Sequence, residues 1–187
     1  MLKRIEEFAT YVEITGFKNA KIRDLQKVLD QVNKEKPKEV ETQFFDARLV
    51  ATWQHLYFAV LDALTAFANE ENISKSLAME TLLYVSAEGQ ISKATERVGI
   101  KPSMSEVAVL IIGKEPNQIQ SALSAISKIL RGRLDEKVLG LSKSKKEMLR
   151  KSFKINEAEL EASAQDDEDK ALVDAIIERM ALLVTER

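Results

Sequence analysis

The chain has 187 residues, of which 45% are hydrophobic and 31% charged, and its formal net charge at pH 7 is -2. This length and composition suit one globular domain with a buried core, although length alone leaves two small domains possible. With no cysteine and one histidine, the sequence excludes disulfides, thiolate zinc sites, cysteine nucleophiles and any site that needs two histidines.

The first part of the chain predicts a βαβ unit. Residues 11–15 alternate in polarity and end at Gly16, which is typical of a strand. Apolar residues between Ile22 and Val32 recur at helical spacing, and residues 40–45 predict a second strand. We expect the two strands of this unit to run parallel, joined by a right-handed crossover.

Three helices and a buried strand are predicted next. Thr52 is a favourable N-cap for a helix that reaches about Asn69, and residues 76–98 supply two more helices, the second ended by Gly99. Residues 106–113 are almost all β-branched or aliphatic, as in a strand covered on both faces. We therefore place this strand at the centre of the sheet.

The last third of the chain is predicted to be mostly helical. Its elements are a helix over 118–130, a short edge strand over 137–140, a basic helix from Ser142 to Phe153, a loose helix over 156–164, a charged hinge over 165–170 and a last helix over 166–186. The sequence therefore predicts an α/β fold in one domain over residues 1–187. A small mixed β-sheet would be covered by several helices, and residues 155–187 would form a helical C-terminal segment.

Charge is distributed unevenly along the chain. Residues 128–154 contain ten basic and three acidic residues, whereas residues 155–187 contain ten acidic and three basic ones. In the basic helix, several cations lie about one turn apart, a spacing that allows contacts with successive phosphates of a nucleic acid. These residues are Lys143, Lys146, Arg150 and Lys151. The alternative is an ordinary solvated helix face.

The last predicted helix is apolar on nearly all sides. Val173, Ile176, Ile177 and Met180 form one stripe, while Leu172 and other apolar residues lie on other sides. A terminal helix of a small domain rarely buries every side against its own core. We therefore expect the surplus apolar surface to contact a protein partner, in the manner of a helix in a groove. The alternative is central packing between other helices of the chain.

His55, Glu80 and the turn at residues 113–116 are the remaining candidates for chemistry. A lone histidine near a helix start is more often structural than a general base, and Glu80 suits a hydrogen bond to the backbone or to His55. The turn lacks the second glycine and the Gly-Lys-Ser/Thr ending of a phosphate loop. We predict no catalytic residue, no metal and no cofactor. A small hydrolase that uses His55 is the least favoured alternative.

The sequence also predicts a location. No apolar run approaches the roughly 20 residues that a membrane span needs. Met1 to Arg4 leads into Glu6 and Glu7, in contrast to the apolar stretch of a signal peptide. We therefore expect a cytoplasmic protein that does not contact membrane.

Residues 46–113 carry an ordered pattern of a known family. The pattern is an alanine, a small hydroxyl residue and His-Leu before a helix, then Glu-x-Leu-x-x-x-x-Ser, Arg-Gln-Ile before another helix, and Gly-Ile. The matching residues are Ala47, Thr52, His55, Leu56, Glu80, Leu82, Ser86, Gln90, Ile91, Gly99 and Ile100. In this set the chain resembles the TPRKB/Cgi-like family, the small regulatory subunit of the KEOPS (EKC) complex. Gly89 departs from the family's usual arginine.

The resemblance implies a non-catalytic regulatory subunit of the complex that makes threonylcarbamoyladenosine in tRNA. Such subunits dock on a small kinase-like ATPase and help to bring in tRNA by its 3' single-stranded end. The ATPase contact is then expected on Ile176, Ile177, Met180 and Leu183. RNA contacts are expected on Ser86, Gln90 and Lys93 and on the basic helix, with Lys93 or Arg97 in place of the missing arginine. A free-standing RNA-binding α/β module without a kinase partner is the main alternative.

Overall fold

The computed structural model describes residues 1–163 and 167–185, and contacts group the chain into two compact units. The first unit contains residues 1–47 and 99–138, and the second contains residues 48–98 and 139–187. Among the described residues, no helix has both the length and the apolar character that a bilayer span requires. The organisation as one domain over residues 1–187 stays a prediction.

The first unit is built on a five-stranded antiparallel sheet. Its strands are β1 (Leu2–Ile5), β2 (Thr10–Lys18), β3 (Glu41–Asp46), β4 (Val107–Gly113) and β5 (Arg133–Leu134). The order is β1-β2-β4-β3, and β5 pairs with the end of β2. Every residue of β4 is buried, and β4 pairs with a strand on each side. The predicted central strand and the mixed α/β class are confirmed.

β2 and β3 do not pair with each other as a βαβ unit would suggest. Each pairs antiparallel with β4, which places Ile14 opposite Leu110 and Phe44 opposite Val109. β2 and β3 therefore run in the same direction, as predicted, but β4 lies between them. The strand that separates them comes later in the chain, after three helices.

Two helices complete the core of the first unit. These are α1 (Leu25–Glu35), capped by the Asp24 carboxylate, which accepts a hydrogen bond from the Lys27 N–H, and α5 (Pro116–Leu130), which begins with proline. Val32 of α1 and Ile126 of α5 are buried in one apolar cluster with Phe17 of β2. Both helices were predicted from their apolar spacing.

Gly16 lies inside β2 and does not end it. Its carbonyl oxygen accepts a hydrogen bond from the Asp135 N–H at 2.9 Å, and a β-carbon at Gly16 would lie 2.1 Å from Cγ2 of Val138. Glycine is needed here because another segment approaches the strand closely. That segment is a 3-10 helix over Glu136–Leu139, so the edge strand predicted for residues 137–140 is wrong. A single helical turn is what directs Val138 onto Gly16.

The second unit is helical. Its helices are α2 (Trp53–Ala68), α3 (Leu77–Ser86), α4 (Ile91–Val98), α6 (Lys143–Phe153), α7 (Glu157–Ser163) and α8 (Glu168–Thr185). Ser142 caps α6 as predicted, because its hydroxyl accepts a hydrogen bond from the Lys145 N–H. α8 begins within the stretch that was predicted as a hinge. Three of the predicted helix boundaries, Ala164, Asp166 and Glu186, lie outside the described residues. Gln165 of the predicted hinge also lies outside them.

Candidate functional site

His55 is fully buried near the start of α2, and both of its ring nitrogens are used. Nδ1 accepts a hydrogen bond from the Ala51 N–H at 3.1 Å, and Nε2 lies 3.1 Å from the carbonyl oxygen of Val85. Because a carbonyl oxygen only accepts, the proton resides on Nε2 and the ring is neutral. Burial lowers the pKa of His55 to about 3; the bond to Val85 opposes this shift and the charge of Lys145 adds to it.

This geometry makes His55 a structural residue. Thr52 holds the predicted N-cap position of α2, but its buried hydroxyl makes no hydrogen bond within the described part of the chain. His55, three residues later, instead satisfies the N–H of Ala51, in a variation of the capping box. The ring also packs edge-on against Phe153 of α6, with centroids 5.7 Å apart. No lone pair remains for proton transfer, which removes the base that a hydrolase would need.

Glu80 is also committed to the backbone. Its Oε2 accepts hydrogen bonds from the N–H groups of Ser74 at 2.7 Å and of Ile73 at 3.0 Å. This matches the predicted bond to the backbone and fixes the connection between α2 and α3. Across residues 1–163 and 167–185, no group of acidic or histidine side chains is arranged to hold a metal ion.

The turn after β4 is held by its lysine. Lys114 Nζ donates hydrogen bonds to the carbonyl oxygen of Phe8 and to Oγ1 of Thr10, each at 2.8 Å. Pro116 then begins α5. The lysine is therefore bonded within the first unit, which agrees with a structural turn and not with a phosphate loop.

Ser86, at the end of α3, is buried and unavailable to RNA, which corrects the expected contact. Its hydroxyl donates to the carbonyl oxygen of Leu83 at 2.9 Å, and its own carbonyl accepts from Arg97 at 2.7 Å. Arg97 also pairs with Glu88 at 2.6 Å and lies over the ring of Phe153. Arg97 thus links α3, α4 and α6, and it is not a free replacement for the family's arginine.

Gln90 and Lys93 remain exposed at the start of α4. Residues three positions apart share one side of a helix, so these two side chains can face the same ligand. Gly89 beside them is exposed, and a β-carbon there would meet only Cδ1 of Leu183, at 3.9 Å. A larger side chain therefore fits at this position without a clash.

The cations of the basic helix α6 differ in their exposure and in their ion pairing. Lys143 and Lys151 are exposed, whereas Lys146 and Arg150 are half-buried. Lys146 Nζ pairs with Asp169 Oδ1 of α8 at 2.6 Å. This hydrogen bond is the main cause of the raised pKa of Lys146, and the charges of Asp169 and its acidic neighbours contribute. One of the predicted phosphate contacts is therefore already occupied within the chain.

α8 buries three of the four residues expected to contact a protein partner. Ile176 and Met180 are fully buried and Leu183 is 5% exposed, so only Ile177 reaches the surface in part. The expectation of surplus apolar surface at those three positions is corrected, because other helices of the second unit surround them. Central packing, the alternative, describes them better.

Some apolar surface remains in a groove between α2 and α8, with a volume of about 520 Å³. Phe58, which is 39% exposed, faces it with Leu141, Val173 and Ile177. We call this the α2–α8 groove, and its remaining lining residues are Thr52, Gln54, Asp167, Asp169, Lys170 and Asp174. The sequence interpretation missed Phe58. Phe58 lies off the buried stripe of α2, immediately before the buried Ala59 and Val60. This position in the helix was the signal that could have identified it as exposed.

A smaller cavity of about 350 Å³ lies beside the α3–α4 junction. Its two arginines are paired: Arg97 with Glu88, and Arg179 with Glu159 at 2.8 Å. Leu182, which is 47% exposed, also lines it. The paired arginines indicate a structural role for these charges.

Comparisons with known proteins agree with one another. The family model described as kinase binding protein CGI-121 matches residues 17–183, from β2 into α8. A relative named Regulatory protein Cgi121, from Methanocaldococcus jannaschii, is 29% identical over 113 residues, which cover 60% of this chain and 70% of the relative. The chain is thus similar to proteins whose names refer to kinase binding and to regulation.

Proposed function

The chain belongs to the kinase binding protein CGI-121 family, and on this premise we propose that it is a non-catalytic regulatory subunit of the KEOPS complex. In this proposal it binds the small kinase-like ATPase subunit and recruits tRNA by its 3' single-stranded end. The family match over residues 17–183 carries the proposal. The name of the archaeal relative and the resemblance over residues 46–113 support it. The neutral, fully bonded His55 argues against an enzyme that uses it as a base.

The α2–α8 groove is the contact that we propose for the ATPase. Of the four α8 residues first expected there, Ile177 alone lines the groove, and Phe58 of α2 supplies the larger exposed apolar surface. Removal of such apolar side chains from water favours association with a partner. The aspartates around them favour a partner surface that carries cations.

RNA is proposed to bind the exposed cations of α6 and the start of α4. Lys143 and Lys151 are exposed, and Gln90 and Lys93 offer hydrogen bonds to unpaired bases. Arg150 is half-buried on the same helix as Lys146. Phosphate contacts of this kind position the RNA without reading its sequence.

Co-purification from native lysate tests the protein contact. Ile177→Glu places a charge in the groove, so the kinase-like ATPase should no longer co-purify with the chain. A second groove variant is Phe58→Glu. Ile91→Glu is the matched control, because Ile91 lies on α4, outside the groove, and is exposed to a similar degree as Phe58. If the complex survives both Ile177→Glu and Phe58→Glu, the contact is elsewhere on the molecule.

RNA binding is tested with a single-stranded oligonucleotide that ends in the tRNA 3' sequence. Replacing Lys143 and Lys151 together by Gln should weaken binding and reduce the slope of log affinity against log salt by about 1.4, roughly 0.7 for each lost contact. Replacing exposed Lys27 and Lys34 of α1 by Gln is the control. RNA binding without a kinase partner would favour the alternative, a free-standing RNA-binding module.

A further inference from the structure

Asp169 belongs to two surfaces at once. Its Oδ1 pairs with Lys146 of the basic helix at 2.6 Å, and the same residue lines the α2–α8 groove. Both side chains are partly exposed, with 50% of Asp169 and 31% of Lys146 accessible. A charge that approaches from the groove can therefore reach the carboxylate that holds the lysine.

We propose that Asp169 couples the two binding surfaces. A cation of the docked protein partner pairs with the Asp169 carboxylate, and Lys146 is then released to bind an RNA phosphate. This inference rests on the proposed function, because it needs both a protein partner and an RNA ligand. It adds that the two ligands bind cooperatively and names the residue that links them. By linkage, RNA bound to Lys146 strengthens docking by the same factor.

The chemistry of the groove defines the partner surface. Apolar Phe58 and Ile177 line the groove together with Asp169 and Asp174, and Lys170 is the single cation among the described lining residues. A segment that presents an apolar side chain with a lysine or arginine about one turn away satisfies both features. The cation meets Asp169 on its open side, and the apolar side chain fills the space beside Phe58.

The isolated chain is held in the weaker RNA-binding state. While Lys146 remains on Asp169, a phosphate has to compete with a carboxylate for it. A partly exposed ion pair of this kind contributes modestly. We therefore expect its removal to tighten RNA binding by about twofold to fivefold, and not by orders of magnitude.

Substitutions in the full chain test the internal competition. Asp169→Asn should tighten binding of the single-stranded RNA oligonucleotide by that factor. Asp174→Asn removes an exposed aspartate of the same helix and the same groove, so it reports the general effect of lost negative charge and should change affinity less. Equal effects of the two variants would overturn the inference.

A double-mutant cycle isolates the pair. Lys146→Gln should change RNA affinity little in the wild-type background, where the lysine is engaged, but should abolish the gain in the Asp169→Asn background. An equal cost of Lys146→Gln in both backgrounds would show that Asp169 does not restrain the lysine. Thermal unfolding of each variant verifies that the fold is retained.

Titrations with the purified kinase-like ATPase test the coupling itself. Saturating ATPase should tighten RNA binding of the wild-type chain and leave that of Asp169→Asn unchanged. If both ligands bind but independently, the coupling is overturned and the proposed function stands. If the wild-type chain binds no RNA or forms no complex with the ATPase, the proposed function falls and the coupling falls with it.

Discussion

Nε2 of His55 donates a hydrogen bond to the carbonyl oxygen of Val85, 3.1 Å away, and this bond joins the start of α2 to the end of α3. On the other side of the ring, Nδ1 accepts from the Ala51 N–H. A second proton on the ring has no acceptor, because Nδ1 already faces a donor. The site therefore accommodates the neutral ring and rejects the imidazolium.

The pH dependence of stability follows from the fact that the folded chain does not accommodate a protonated His55. The pKa of His55 is about 3 in the folded chain, against 6.5 for an unperturbed histidine, so below pH 6.5 the unfolded state binds a proton that the folded state does not. The contribution of His55 is complete above pH 6.5 and is lost as the pH falls towards 3. Between pH 7 and pH 5 this amounts to about 2 kcal/mol. Urea unfolding at the two pH values measures it.

A variant without the imidazole provides the comparison. His55→Gln loses some stability at every pH, but its unfolding free energy should fall less than that of the wild type between pH 7 and pH 5. The carboxylates titrate in both proteins, so the difference between the two slopes belongs to His55. Parallel curves for the two proteins would contradict a neutral buried histidine.

Glu80 is expected to stabilise the connection between α2 and α3. Glu80→Ala removes the acceptor of the Ser74 and Ile73 N–H groups, and a buried donor left without its acceptor costs about 1–3 kcal/mol. For the two N–H groups we expect the free energy of unfolding to fall by about 2–6 kcal/mol, and the Ser74 amide to exchange faster with deuterium. Glu96→Ala, which alters an exposed carboxylate of α4, should leave both quantities nearly unchanged, and an equal loss there would contradict this role.

Gly16 should not tolerate a side chain. The methyl group of Gly16→Ala would overlap Cγ2 of Val138, since the two carbons would lie 2.1 Å apart, and overpacking of this kind costs about 1–3 kcal/mol. Chemical unfolding measures the loss. The double variant Gly16→Ala/Val138→Ala removes the overlapping methyl and should recover part of the stability. It should not recover all of it, because the Asp135 carbonyl oxygen remains 2.9 Å from the new carbon.

The sequence predicted best what depends on local pattern. The apolar period of α5, the unbroken apolar run of β4 and the serine cap of α6 were all readable, because each depends on residues that are close in the chain. Strand order was not readable, because the insertion of β4 between β2 and β3 depends on pairing between distant segments.

The same limit applies to the candidate site. The apolar stripe of α8 shows that its sides are covered, but not that the second unit itself covers Ile176 and Met180. The pair of Lys146 and Asp169, 23 residues apart, is likewise a product of packing. The structure places Gln90, Lys93, Lys143 and Lys151 at the surface, and their contact with RNA stays a prediction.

Gly89 offers a gain-of-affinity test of RNA binding at the start of α4. The family's usual arginine fits here, because a β-carbon would lie 3.9 Å from its nearest neighbour and the backbone conformation is not left-handed. Gly89→Arg adds an exposed cation beside Gln90 and Lys93. We therefore expect a several-fold tighter complex with the single-stranded RNA oligonucleotide and a salt slope steeper by about 0.7. Fluorescence anisotropy over a range of salt concentrations measures both.

Gly89→Ala separates the effect of charge from that of the backbone. Alanine at this position reduces the freedom of the unfolded chain as arginine does, but it brings no cation, so its RNA affinity should equal that of the wild type. If alanine tightens binding as much as arginine, the gain comes from ordering the α3–α4 junction and not from a phosphate contact. If neither variant changes the affinity, the RNA does not pass over the start of α4, and the exposed lysines of α6 are left as its contact.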